Sequence, residues 1–133
     1  MTIAPYLESK FSQLDLQFMI KKLTSEHYEL ARWPENLAIQ LVEFYRRFLW
    51  LNYKYPGSNL VPTRDIDECW HIHILSTKRY AEDCQNLFGH YLHHQPADPS
   101  NQEEITVLQT FFDKTLQLYQ KEFGEDLKVL SSE

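Results

Sequence analysis

Helical periodicity is the feature of this sequence that most constrains its fold. Apolar residues recur three or four positions apart over long stretches, most clearly at Leu37, Leu41, Phe44, Phe48 and Leu51. All six prolines lie between such stretches, as expected when helices are separated by turns. No alternating strand pattern and no Asn-Gly turn is found in the sequence. The sequence therefore predicts an all-α fold.

The periodic stretches and their flanking residues predict four helices, over residues 12–24, 34–55, 64–88 and 100–123. Thr63 or Asp65 can cap the third helix, and Asp65 with Glu68 matches a capping box. Gly89 and Gly124 are suited to end the third and fourth helices, because glycine readily adopts the left-handed conformation that follows a helix.

The length of the chain suits one domain. Its 133 residues include eight tyrosines, eight phenylalanines and three tryptophans, and such large side chains bury much apolar area each. We therefore expect residues 1–133 to form a single bundle of about four helices around one core, with a histidine-containing loop after the third helix.

The charge and the apolar pattern of the chain argue against some classes of partner. The net charge is −6, whereas a sequence-independent nucleic-acid binder needs a cationic face. No apolar stretch approaches the roughly 20 residues that span a bilayer, and the first residues do not match a signal peptide. We expect a cytoplasmic protein with no nucleic-acid or membrane partner. A protein partner, a homo-oligomer and a small-molecule substrate remain open alternatives.

The two cysteines are not expected to form a disulfide. Cys69 and Cys84 lie fifteen positions apart, which corresponds to about 22 Å along a continuous helix. A disulfide needs Cα atoms within about 7 Å of each other. Two free thiols are also typical of a reducing compartment.

A histidine-rich segment carries the most unusual chemistry of the chain. Five of the six histidines lie between His71 and His94, and imidazole is the commonest metal ligand in proteins. Asp67 and His71 are four residues apart, which places both on the same face of a helix. His73 points about 200° away from His71 on a helix, so these two histidines are predicted to have different roles.

A metal site is one interpretation of this segment. Asp67 and His71 would form a helical chelate, and His93 or His94 would fold back from the loop as a third ligand. Two histidines and one carboxylate with an open position suit zinc or iron. An unbroken helix places Phe88 about 32 Å from Asp67, so the loop can barely reach back unless the helix kinks. The candidate ligands are Asp67, His71, His73, His93 and His94.

A buried hydrogen-bond network is the other interpretation. The histidines, aspartates, tyrosines and cysteines of this segment would then fix how the helices pack, in a structural or interaction module without catalysis. The supporting residues in either case are Trp70, Tyr80, Asp83 and Cys84. Nucleophilic catalysis by Cys69 and His73 is disfavoured, because an orienting group and an oxyanion hole are not evident.

The same segment resembles a known family. The stretch from Pro62 to Leu75 contains Trp70-His71-Ile72-His73 and is followed by Tyr80, Asp83-Cys84, Gly89 and His93-His94-Gln95-Pro96. This pattern is similar to that of the glycine-rich domain-containing protein-like family, in its short microbial form. Upstream, the segments 44–49 and 55–57 fit the same family, so the resemblance covers most of the chain.

The resemblance implies an intracellular helical domain. Longer plant relatives carry glycine-rich and sometimes RNA-binding regions, and neither type of region is found in these 133 residues. The family pattern also implies that its histidines, aspartates and aromatic residues lie together, which favours a metal site. The positions concerned are Asp67, Trp70, His71, His73, Tyr80, Asp83, Cys84 and His94.

Overall fold

The structure, a computed structural model, describes residues 7–94, 98 and 100–131. Within these residues the chain is all-helical, without strands, so the predicted fold class is confirmed. None of the helices described is long and apolar enough to cross a membrane. The helices are α1 (Ser9–Ser12), α2 (Gln17–Leu23), α3 (Glu35–Lys54), α4 (Arg64–Leu75), α5 (Thr77–Phe88) and α6 (Gln102–Phe123).

The central helix of the bundle is α3. It packs against α1, α2, α4 and α6, while α5 packs against α1 and α4. The side chains of Leu41, Tyr45 and Phe48 are almost completely buried on α3, which is the periodic stretch that the sequence shows most clearly. Burying a leucine or phenylalanine of this kind contributes about 1.5–3 kcal/mol to stability. The core therefore forms around the helix that sequence periodicity identifies best.

The predicted first helix over residues 12–24 is wrong in its bounds. The predicted range contains only α2 in full, because α1 ends at Ser12 and residues 13–16 separate the two helices. Arg46 on α3 stabilises this break, because its Nη1 donates to the carbonyl oxygens of Phe11 at 2.6 Å and Leu14 at 2.8 Å. The regular helical ladder stops here, where Phe11 accepts a turn hydrogen bond from the backbone of Leu14 at 3.3 Å, and Arg46 supplies additional donors. The break lets both Phe11 and Leu16 reach the core.

Thr63 is the cap of α4, one of the two caps that the sequence allowed. Its Oγ1 accepts a hydrogen bond from the backbone of Ile66 at 3.1 Å. Asp65 is buried and has another role, because one carboxylate oxygen accepts from the backbone N–H groups of Leu130 at 2.7 Å and Ser131 at 3.1 Å. Asp65 therefore fastens the end of the described chain to the start of α4.

The predicted continuous helix over residues 64–88 is also wrong, because the chain breaks at Ser76. The residue has φ −85° and ψ 68°, and α5 begins directly after it. The backbone N–H and the side-chain Oγ of Ser76 both donate to the carbonyl of Ile72, and such local bonds compete with regular helix. The break folds α5 back against α4. The histidine-containing segment after Gly89 is thereby brought near the beginning of α4.

Both cysteines are buried and free, as predicted, although the continuous helix assumed for them does not exist. Burial raises the pKa of both thiols, which lowers the fraction of reactive thiolate. We expect a disulfide reagent at pH 8 to react with Cys69 and Cys84 at least about tenfold more slowly in the folded protein than in urea. Colorimetric thiol titration measures this. Reaction of either thiol at the unfolded rate would contradict the buried positions.

Candidate metal centre

Asp67 and His71 form the first part of the site, on the outer face of α4. They are four residues apart, and Nδ1 of His71 lies 3.5 Å from one carboxylate oxygen of Asp67. The side chain of His71 is 59% exposed and that of Asp67 is 32% exposed. The predicted helical pair is therefore present, and solvent reaches it.

His94 completes the group from the segment that follows α5. Its Nε2 lies 2.5 Å from the other carboxylate oxygen of Asp67. Its ring stacks on that of His71, with 5.1 Å between the ring centroids. One ligand atom from each of Asp67, His71 and His94 lies within 4.8 Å of the others. An unbroken helix would have kept the segment with His94 far from Asp67. The break at Ser76 brings this segment back to Asp67.

Aromatic stacking and a chain of hydrogen bonds hold His94 in this position. The ring of Trp70 stacks on His94 at a centroid distance of 4.3 Å and an interplanar angle of 13°. The indole Nε1 of Trp70 donates to the Tyr80 hydroxyl at 2.8 Å, which donates to the carbonyl of Leu92 at 2.5 Å. Burial raises the pKa of Tyr80, so the phenol stays protonated and able to donate. The thiol of Cys84 lies beside the Tyr80 hydroxyl and the backbone of Leu92.

His73 belongs to a separate, buried cluster. Its side chain is 1% exposed, its Nδ1 lies 2.7 Å from the Tyr45 hydroxyl and its Nε2 lies 2.8 Å from a carboxylate oxygen of Asp83. Burial raises the pKa of Tyr45 well above its usual value, so the phenol keeps its proton, and each ring nitrogen of His73 shares a hydrogen bond with one of these two groups. Both ring nitrogens of His73 therefore have protein partners, as the network interpretation expects.

The predicted site residues thus divide between two places. Asp67, His71 and His94 come together, while the structure does not bring His73 or His93 into that group. His93 is exposed and its ring contacts Tyr91 at a centroid distance of 4.8 Å. The next two residues of the family pattern, Gln95 and Pro96, lie outside the described residues.

Two residues that the sequence analysis did not place at the site help to shape this region. Tyr45 of α3 is the partner of His73 from 28 positions away. Glu68 accepts hydrogen bonds from the hydroxyl of Tyr28 and, at 3.0 Å, from the indole of Trp33. These partners are 35 to 40 positions from Glu68, so local spacing carries no signal for them.

A pocket of about 400 Å³ lies beside the candidate metal centre. It opens between α4 and the loop that follows α2, and Asp67 and His71 form part of its wall. The pocket is lined by Lys22, Tyr28, Glu29, Leu30, Arg64, Asp67, Glu68, His71, Ile72, Leu75 and Ser76.

The fold and the site together define a small helical domain with a surface cluster of histidine and aspartate. The chain belongs to the UCP032817-like family, whose sequence profile matches residues 10–117. It is similar to glycine-rich domain-containing proteins 1 and 2 of Arabidopsis thaliana, with 32% and 28% identity over 122 residues. This confirms the resemblance seen in the sequence. Each alignment covers 86% of this chain but only 15% of the plant protein. No solved structure matches the chain.

Proposed function

We propose that this chain is a metal-binding helical domain in which Asp67, His71 and His94 hold one zinc or ferrous ion. The observation that supports the proposal is the convergence of two imidazoles and a carboxylate, from two segments of the chain, within 4.8 Å. Ligand atoms around a tetrahedral zinc ion lie about 3.3 Å apart, so shifts of about 1 Å would suffice to bind it. Three protein ligands leave a coordination position open, and the exposed side of His71 gives access to it.

The metal content of untagged protein tests this proposal. After incubation with zinc or ferrous ion and removal of the excess, elemental mass spectrometry is expected to find close to one equivalent of metal. At a free zinc concentration of 100 times Kd, the ion should raise the free energy of unfolding by about 2.7 kcal/mol, and a chelator should remove this gain. Metal well below one equivalent with both ions would contradict the proposal.

Tyr80 is a positioning residue for His94 in this proposal, since it contacts the backbone two residues before the ligand. We expect Tyr80→Phe to weaken zinc binding by about 10- to 100-fold, as is usual when an outer partner of a ligand is removed. It should also destabilise the metal-free protein by about 1–2 kcal/mol, because Trp70 and Leu92 lose their partner.

Zinc titration against a chromogenic chelator measures the affinity of this variant. Tyr91→Phe is the matched control, because Tyr91 is exposed and lies on the segment after α5 that also carries Leu92 and His94. An unchanged zinc affinity in Tyr80→Phe would show that the hydrogen bond to Leu92 does not position His94.

A second role, fixing the packing of the helices, is supported by the buried contacts of His73. Its ring connects Tyr45 of α3 with Asp83 of α5, and it packs edge-on against the ring of Tyr80 at 4.8 Å. Among the described residues, every buried polar side-chain atom has a hydrogen-bond partner. This cluster therefore stabilises the arrangement of α3, α4 and α5 without taking part in metal binding.

A further inference from the structure

We infer that the pocket beside the metal centre binds a small carboxylate that carries an apolar chain, with the carboxylate coordinated to the metal. This inference rests on the proposed metal site. The volume of about 400 Å³ lies within the range of pockets that hold small molecules, about 300–1,000 Å³. Asp67 and His71 line the pocket, so an ion bound to them would lie at the pocket wall.

The apolar part of the pocket fits an aliphatic chain. Leu30 and Leu75 are 59% and 76% exposed, and both line this pocket together with the buried Ile72. Single exposed leucines are ordinary on protein surfaces, but two that line one pocket beside a polar wall offer a site for an apolar group. A ligand chain between them would remove apolar surface from water, while its polar end reaches Asp67 and His71.

The charges of the pocket select an anion only when metal is present. Two cationic side chains, Lys22 and Arg64, and three acidic ones, Glu29, Asp67 and Glu68, line it. The lining therefore has a formal charge of −1, which a divalent ion changes to +1. An oxygen ligand of negative charge is also the kind that completes a zinc or iron site built from histidine and carboxylate. A carboxylate is thus expected to bind the metal-loaded protein and not the metal-free one.

A titration of the cobalt-loaded protein with octanoate tests this inference, because cobalt(II) occupies zinc sites and its visible absorption reports its ligands. We expect octanoate to change the spectrum in a saturable manner. Octanol and octylammonium should not change it, and calorimetry should find no octanoate binding to the metal-free protein.

Leu75→Ser is expected to weaken octanoate binding about tenfold, from the loss of apolar contact, and to leave acetate binding and cobalt content unchanged. Val129→Ser, at another exposed apolar residue, is the matched control.

The outcomes separate this inference from the metal site itself. Failure to take up cobalt or zinc would overturn both. Stoichiometric cobalt whose spectrum octanoate does not alter would overturn only the inferred ligand. Tighter binding of octylammonium than octanoate, or equal binding of octanoate to metal-free protein, would show that the metal does not select the ligand. Equal loss of acetate and octanoate binding in Leu75→Ser would overturn the role assigned to the apolar wall.

Discussion

Replacing His94 with alanine is expected to lower the zinc affinity of this protein at least about a hundredfold. Loss of an outer partner alone usually costs 10- to 100-fold, and His94→Ala removes a proposed ligand. The metal-free variant should remain folded, with a loss of about 1 kcal/mol from the hydrogen bond to Asp67 and the stacking on Trp70. Elemental mass spectrometry measures the loss of bound zinc, and competition with a chromogenic chelator measures the loss of zinc affinity.

The neighbouring histidine provides a matched control for this experiment. His93 is exposed and lies outside the group, so His93→Ala should keep full metal content. Asp67→Asn is a sharper variant, because an amide oxygen can still accept the hydrogen bond from His94 but supplies no negative charge to the ion. We expect Asp67→Asn to lose zinc while remaining as stable as the metal-free parent within about 1 kcal/mol. Equal metal binding by the His93 and His94 variants would contradict the site.

Replacing His73 with alanine is expected to have the opposite profile, with a large loss of stability and little direct effect on metal ligation. The change leaves a cavity and removes the partners of Tyr45 and Asp83. Each of these effects costs about 1–3 kcal/mol in buried positions, so we expect a total of about 3 kcal/mol or more. Chemical denaturation of the metal-free protein, monitored by tryptophan fluorescence, measures the difference.

His71→Ala is the matched control, because it lies on the same helix and its side chain is 59% exposed. It should cost less than about 1 kcal/mol of stability and yet lose metal. If His73→Ala does not fold, Tyr45→Phe removes only one hydroxyl and should still destabilise the protein by about 1–2 kcal/mol. A Tyr45→Phe variant as stable as the parent would contradict the structural role of this cluster.

The sequence predicted those parts of the site that depend on helical spacing. The pairing of Asp67 with His71 and the divergence of His71 from His73 both follow from 100° per residue, and both are present in the structure. The choice between His93 and His94 depends on the path of an irregular segment, for which spacing gives no rule. The contact of Trp70 with His94, which distinguishes the two histidines, is visible only in three dimensions.

The break at Ser76 could not be predicted because no proline or glycine marks it. Serine is acceptable inside helices, and only its weak tendency to bond to nearby backbone groups indicates an end. The structure favours the break through distant contacts, which include the burial of Tyr80 and the hydrogen bond between His73 and Asp83. A single helix over the same residues would place His73 and Asp83 about 15 Å apart along its axis.

The break at Ser76 also has a consequence for the order of folding. With α5 packed back against α4, the contact between Asp67 and His94 closes a loop of 27 residues. The contact between Asp65 and the backbone of Leu130 closes one of 65 residues, at an additional entropic cost of about 0.8 kcal/mol. Short-range contacts form sooner during folding than long-range ones. We therefore expect Asp67, His71 and His94 to come together before residues 130–131 dock on Asp65.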